Sequence, residues 1–212
     1  MSATVKSFHH VKENTIRLTL ANRTLSGVKI SDMDTLKQAI TILHQEYRVP
    51  HVLVTSVSLQ APRAEPHLQV IGSTCTSTYE PRIFTIKVPA IDCFFSGTGD
   101  MFAALILVRL REAVFNTEGL SSIAAWVSAD DVEVEELPLA KAAEKVLASM
   151  HEILGRTKIK RDEEWTQYRK HAEKGDDEKR DRQARSKAAE VRLVRNVGLL
   201  RHAEVKFFAE KL

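Results

Sequence analysis

Cysteine is scarce in this 212-residue chain, and the two that it has, Cys75 and Cys93, are too few for a disulfide framework. We interpret both as small buried side chains in a reducing compartment, and we expect the protein in the cytoplasm, with the nucleus also open. No apolar run reaches the length of about 18 residues that a membrane span needs, so no membrane association is expected. The first 18 residues also lack the apolar segment of a secretory signal.

A strong excess of charge of one sign is also missing, since the net charge is only +3. This balance gives no reason to expect a nucleic acid partner. The most charged stretch, residues 156–192, alternates in sign and offers only Trp165 and Tyr168 for stacking on bases, so a solvated helix is favoured there. The histidines show no i, i+4 pair with a carboxylate between them, so a zinc site is not expected.

Hydrophobic spacing predicts alternating helices and strands, which favours an α/β fold. The first predicted helix covers residues 31–47, with Ser31 as N-cap and Asp34 at the capping-box position. Its apolar face is predicted to consist of Leu36, Ile40, Leu43 and Tyr47. The other predicted elements are a buried strand at 51–57, a strand pair at 68–75 and 82–91, helices at 101–114 and 137–154, and a returning strand at 204–210.

The most informative motif is Gly97-Thr98-Gly99-Asp100, which stands between a predicted strand and an apolar helix. It is neither a Walker A loop, which needs a lysine, nor a dinucleotide fingerprint, because Phe102 stands where glycine or alanine is required. Glycines at a helix N-terminus let an anion approach the backbone N–H groups. Asp100 is then either a helix-capping carboxylate or, beside a bound phosphate, a proton acceptor.

The wider segment "IDCFFSGTGDMFAALIL" (91–107) closely resembles the signature of pyridoxal kinases, which belong to the ribokinase-like superfamily. Segments 25–30, 51–59, 137–154 and 199–210 resemble further pieces of that family in the same order. The resemblance implies a ribokinase-like three-layer α/β/α (Rossmann-like) domain with a parallel sheet, of which this chain carries the C-terminal half.

The implied activity is ATP-dependent phosphorylation of the 5′-hydroxymethyl group of pyridoxal, pyridoxine or pyridoxamine, with Mg²⁺ assisting ATP. By resemblance, Asp100 is the catalytic base that contacts the substrate, and Gly97, Thr98 and Gly99 bind the ATP γ-phosphate. Thr55 and Ser56 would lie beside the nucleotide, although strand-end residues that satisfy the backbone are the alternative. By resemblance, the adenine side is lined by Ile91, Asp92 and Cys93. ATP and the B6 vitamers are the expected partners, and a homodimer is left open.

We divide the chain into a divergent N-terminal segment (1–23), the kinase part (24–155), a charged helical or disordered insertion (156–190) and a C-terminal strand region (191–212). Leu18 and Ala21 occupy the two places where the family has an Asn and a Glu that handle metal and phosphate. We therefore expect a truncated kinase. The alternative is a non-catalytic nucleotide-binding or interaction fragment of such a kinase.

Overall fold

The computed structural model describes residues 15–18, 26–57, 67–171, 191 and 193–212. Five strands form one sheet in the order β1-β2-β3-β4-β5, with helices on both faces. The strands are β1 (Thr15–Leu18), β2 (His51–Val57), β3 (His67–Cys75), β4 (Pro81–Pro89) and β5 (Glu210–Lys211). The helices are α1 (Met33–Gln45), α2 (Thr98–Phe115), α3 (Pro138–His171) and α4 (Val197–Arg201), and three short 3₁₀ turns connect α2 to α3.

The sheet is mostly antiparallel, so the expectation of a parallel sheet is wrong for this part of the chain. Only β1 and β2 run parallel, whereas β2–β3, β3–β4 and β4–β5 are antiparallel pairs. The physical reason is visible at residues 76–80, where the backbone N–H of Thr76 donates to the Glu80 carbonyl at 2.8 Å and closes a short turn. A connection that short joins only antiparallel neighbours, because parallel neighbours need a long crossover.

The helix α1 begins one residue later than the sequence predicts. Asp32 is its N-cap, not Ser31, and its carboxylate accepts from the Thr35 backbone N–H at 2.8 Å. The Thr35 hydroxyl accepts in return from the Asp32 N–H at 3.2 Å, so Thr35 takes the capping-box role predicted for Asp34. Two adjacent residues of the cap type, Ser31 and Asp32, made the choice ambiguous from sequence alone.

The apolar face of α1 covers one side of the sheet. Leu36, Ile40 and Leu43 are buried against the side chains of β2, β3 and β4, as predicted. Tyr47 does not join them, since the helix ends at Gln45 and Tyr47 is 55% exposed. The chain reverses just after it at Arg48, which has a φ of 55°.

The helices α2 and α3 cover the opposite side and complete the three layers. One stripe of α2 is buried against the sheet and α3. The prediction that α2 is buried nearly all round is wrong, because Leu107 and Val108 face outward. The buried stripe consists of Met101, Phe102, Ile106, Leu110 and Val114.

Segment boundaries differ from the sequence division. The helix α3 begins at Pro138, as expected from its place near N1, and continues to His171, so a boundary after residue 155 falls inside one helix. Residues 15–18 of the segment 1–23 pair with β2 as a strand. Only Glu210–Lys211 of the C-terminal segment pairs with β4, whereas 203–209 is irregular. That segment is held on α3, where the Ala209 N–H donates to the Glu144 carboxylate at 2.9 Å.

Within the described ranges, no helix combines the length and apolarity needed to cross a bilayer.

Candidate phosphate site at the glycine loop

Strand register brings the predicted site residues to one end of the sheet. Val57 at the end of β2 pairs with Gln69 near the start of β3, and His67 at the start of β3 pairs with Pro89 at the end of β4. The ends of β2 and β4 therefore lie at the same end of the sheet, and the glycine loop follows β4 there. We call this end of the sheet the glycine-loop edge, or simply the edge. A helix N-terminus that follows glycines can bind an anion, which makes this edge the candidate site.

Gly97 is the N-cap of α2 and adopts a left-handed conformation, with a φ of 82°. The Met101 N–H donates to its carbonyl at 3.1 Å, which is the first hydrogen bond of the helix. Apart from its own neighbours in the chain, no described residue has an atom within 4 Å of the position that a Cβ would occupy at Gly97. The helix N-terminus is therefore open to a solute here. The N–H groups of a first helical turn lack intrahelical partners and carry partial positive charge.

Asp100 lies in this first turn with an exposed side chain. It is not the N-cap, because Gly97 holds that position. Its charge still interacts favourably with the helix dipole. Thr98 and Gly99, the first two residues of α2, are partly buried. The arrangement places a carboxylate that a solute can reach next to the N–H groups of a helix start.

Thr55 and Ser56 form a β-bulge near the end of β2. Val54 pairs with Ile71 and Val57 pairs with Gln69, so Thr55 and Ser56 together oppose the single residue Val70. Thr55 is buried, and the side chain of Ser56 lies outside the described part of the structure. Bulges often stand beside active sites, where they redirect a side chain. The pair therefore lies at the glycine-loop edge. The bulge is a backbone irregularity that the hydrophobic pattern of the strand did not predict.

The segment Ile91–Cys93 forms a turn directly after β4. The Cys93 N–H donates to the Ile91 carbonyl at 2.7 Å, and Asp92 between them is exposed. Ile91 and Cys93 are partly buried, whereas the other cysteine, Cys75, is buried as expected. Burial raises the pKa of the Cys93 thiol, and a nearby guanidinium opposes that shift in pKa. That guanidinium belongs to Arg161, whose Nη1 lies 2.7 Å from Cys93 Sγ. The sequence pattern contained no signal for this contact.

Comparison with solved structures gives the fold. A pyridoxal kinase from Leishmania donovani in complex with ADP superposes with a TM-score of 0.62 at 16% identity, over 94% of this chain and 52% of that one. A Plasmodium falciparum enzyme with AMP-PNP and PL superposes with a TM-score of 0.55 at 16% identity, over 94% and 49%. The chain has the ribokinase-like α/β fold that the resemblance implied.

Sequence comparison agrees with the structural one. A Schizosaccharomyces pombe protein provisionally named as a pyridoxal kinase is 34% identical over 133 residues, which cover 63% of this chain and 38% of that protein. The chain is similar to pyridoxal kinases in sequence and in fold. Sheep pyridoxal kinase is 28% identical over 137 residues, which cover 63% of this chain and 36% of the sheep enzyme. No family model matches the sequence. The chain thus spans between about a third and a half of the length of these relatives.

The described residues do not form a metal site from protein side chains alone. Among them, no group of three or more His, Cys, Asp or Glu side chains is arranged to hold a metal ion. Leu18 ends β1, and Ala21 lies outside the described residues.

Proposed function

We propose that this chain supplies the phosphate site and the proton acceptor of a kinase that acts on B6 vitamers. In the proposed reaction the γ-phosphoryl group of ATP moves to the 5′-hydroxymethyl group of pyridoxal, pyridoxine or pyridoxamine. The observation that carries the proposal is the exposed Asp100 carboxylate in the same helical turn as the open, left-handed Gly97. The names of the relatives support the substrate class.

The proposed step needs one base and one anion site. The carboxylate of Asp100 accepts the proton of the substrate hydroxyl, whose oxygen forms a bond to the γ-phosphorus. The bond from that phosphorus to the bridging oxygen breaks, and ADP leaves with the electron pair. Backbone N–H groups at Gly97–Gly99 offset the charge on the transferring phosphoryl oxygens. Both roles come from the N-cap and the first turn of α2, so the start of one helix holds the base and the anion site close together.

The proposed nucleotide site lies at the same end of the sheet as the glycine loop. The bulge at Thr55 and Ser56 and the turn Ile91–Cys93 end the two strands, β2 and β4, that flank the start of β3. We assign the turn to the adenine side and the bulge to the phosphate chain of ATP. This assignment rests on the resemblance and on the shared edge.

The test compares Asp100→Asn with the unmodified chain in an assay that measures pyridoxal-dependent release of ADP from ATP. Loss of the base is expected to lower turnover by about 10²–10⁴-fold, while AMP-PNP affinity changes little. A matched control is Asp34→Asn, because Asp34 is also acidic and lies in the first turn of a helix, α1. Equal turnover in Asp100→Asn and the unmodified chain would reject Asp100 as the base.

A second candidate is a nucleotide-binding or interaction fragment without turnover. One observation favours it: among the described residues, no group of three or more His, Cys, Asp or Glu side chains is arranged to hold a metal ion. It predicts that AMP-PNP binds while pyridoxal-dependent ADP release stays at background at every protein concentration. Turnover that appears only as the chain dimerises would instead support a homodimeric enzyme.

A further inference from the structure

The second half of α3 reaches the glycine-loop edge of the molecule. The first half of this helix is buried in the core through residues such as Ala143, Val146 and Ile153. Four residues beyond Thr157, which is still buried, Arg161 extends its guanidinium to Cys93. The contact joins residues 68 positions apart in the chain. It therefore connects the start of the charged segment to the turn between β4 and α2.

Arg161 is held on two sides. Its Nε and Nη2 donate to Asp162 Oδ1 at 2.9 and 2.6 Å, and its Nη1 donates to Cys93 Sγ at 2.7 Å. The side chain is 28% exposed, so water screens these contacts only in part. The planar guanidinium can donate to the Asp162 carboxylate and the Cys93 sulfur at once, which an ammonium group on a flexible stem cannot do in this geometry.

Among the described residues, the other hydrogen bonds of Cys93 are local. The Cys93 N–H donates to Ile91 two residues earlier, and Cys93 Sγ lies 3.3 Å from the Phe94 carbonyl oxygen. Phe94 itself is 79% exposed. Irregular segments with few tertiary contacts lose more conformational entropy when a ligand orders them. A contact from a long helix restricts this segment before a ligand arrives.

We propose that Arg161 is a positioning residue for the nucleotide, acting through Cys93 on the segment 91–97. Because Gly97 follows directly, the conformation of this segment sets the direction of the first N–H groups of α2. The inference rests on the proposed function, since it assigns Arg161 to the same nucleotide site. It also assigns a role to the beginning of the segment that the sequence suggested was an insertion.

Removing the guanidinium should weaken nucleotide binding and leave the chemical step nearly intact. We expect Arg161→Ala to raise the KM for ATP and the Kd for AMP-PNP by about five- to tenfold, the net effect of one ordinary hydrogen bond, because a thiol sulfur is a weak acceptor. The kcat should change by less than about twofold, because Asp100 is untouched. Arg161→Lys should recover part of the affinity.

Two further variants separate positioning from a general loss of stability. Cys93→Ala removes the acceptor, and combining it with Arg161→Ala should cost no more affinity than either change alone. Arg156→Ala is the matched control, because Arg156 lies on the same helix and, among the described residues, forms an ion pair with Glu152 across 3.6 Å at the surface. It should leave AMP-PNP affinity unchanged. Full additivity of Cys93→Ala and Arg161→Ala would overturn the proposal.

Hydrogen exchange without nucleotide separates this inference from the proposed function. If Arg161 holds the turn, amides at 92–99 should exchange several-fold faster in Arg161→Ala and at the original rate in Arg156→Ala. Unchanged exchange, or unchanged AMP-PNP affinity in Arg161→Ala, would refute the inference whether or not the chain turns over pyridoxal. If the unmodified chain binds no AMP-PNP, the proposed function and the nucleotide role of Arg161 both fall. Faster exchange would then identify Arg161 as a structural contact only.

Discussion

Replacing Gly97 by alanine is the sharpest test of the glycine loop, because it adds one methyl group where no protein atom stands in its way. The backbone at Gly97 has a φ of 82°, and nothing lies within 4 Å of the added Cβ. The cost is therefore conformational and not a clash. A left-handed conformation costs an L-residue roughly 1–2 kcal/mol, and the stiffer unfolded chain offsets about 0.4–1 kcal/mol of that. We expect Gly97→Ala to lower the free energy of unfolding by about 1 kcal/mol in a urea titration.

The loop can relieve that strain only by turning the Gly97–Thr98 peptide away from its present direction. We expect the Kd for AMP-PNP, measured by calorimetry, to rise by more than about tenfold, because an anion site needs several N–H groups aimed at one point. Gly97→Asn should be milder, since asparagine tolerates the left-handed region better than alanine.

Gly119 provides the matched control. It has a φ of 72°, begins a 3₁₀ turn, and has open space at its Cβ position. It follows α2, whose 18 residues separate it from Gly97 by about 27 Å of helix. Gly119→Ala should lose a similar stability and keep the original AMP-PNP affinity. If both alanine variants weakened AMP-PNP binding equally, or neither did, the assignment of a phosphate site to the Gly97 turn would be wrong.

Two further predictions concern the sheet that supports the site. Gly72→Ala would place a Cβ within 2.6 Å of Cε1 and Cε2 of Phe84, a fully buried ring on the neighbouring strand. It should destabilise the fold by about 1–3 kcal/mol in urea, and adding Phe84→Leu should recover part of that loss; purely additive effects would contradict this packing argument. Burial lowers the pKa of His51 to about 4, with Nε2 2.8 Å from the Ala125 carbonyl oxygen. The pKa of this histidine in the unfolded chain is about 6.5, so between pH 6.5 and 4 the unfolded chain binds more protons than the folded one. The free energy of unfolding should therefore fall by roughly 3 kcal/mol as the pH is lowered from above 6.5 to 4. His51→Gln should flatten urea stability over that pH range, and an unchanged slope would exclude His51 as its source.

Most secondary-structure elements of the described chain were predictable because their residues repeat at the period of a helix or a strand. The buried face of α1 and the pairing of 68–75 with 82–91 are confirmed, since each depends on local spacing and turn residues. The prediction that Tyr47 belongs to this face is wrong for a related reason. Its spacing continues the helical stripe, but the chain reverses at Arg48 and exposes the ring.

The position of the candidate site was also local information. A strand, two glycines, an acidic residue and an apolar helix start stand in one continuous segment. The predicted helix start at 101 is three residues late, because α2 begins at Thr98 and includes Gly99 and Asp100 in its first turn. The bulge at Thr55 and Ser56 could not be read in the same way. It depends on the register against Val70, a residue on a different strand.

By itself, the sequence determined the alternation of helices and strands that favours an α/β fold, and the glycine segment between a strand and an apolar helix, because both depend on residues that are close in the chain. Only the tertiary structure decided that the sheet is mostly antiparallel and that the ends of β2 and β4 share one edge. It also decided that Arg161 touches Cys93 from 68 positions away. Such contacts depend on how whole elements pack, and no pattern along the chain records which distant side chain will fill a given space.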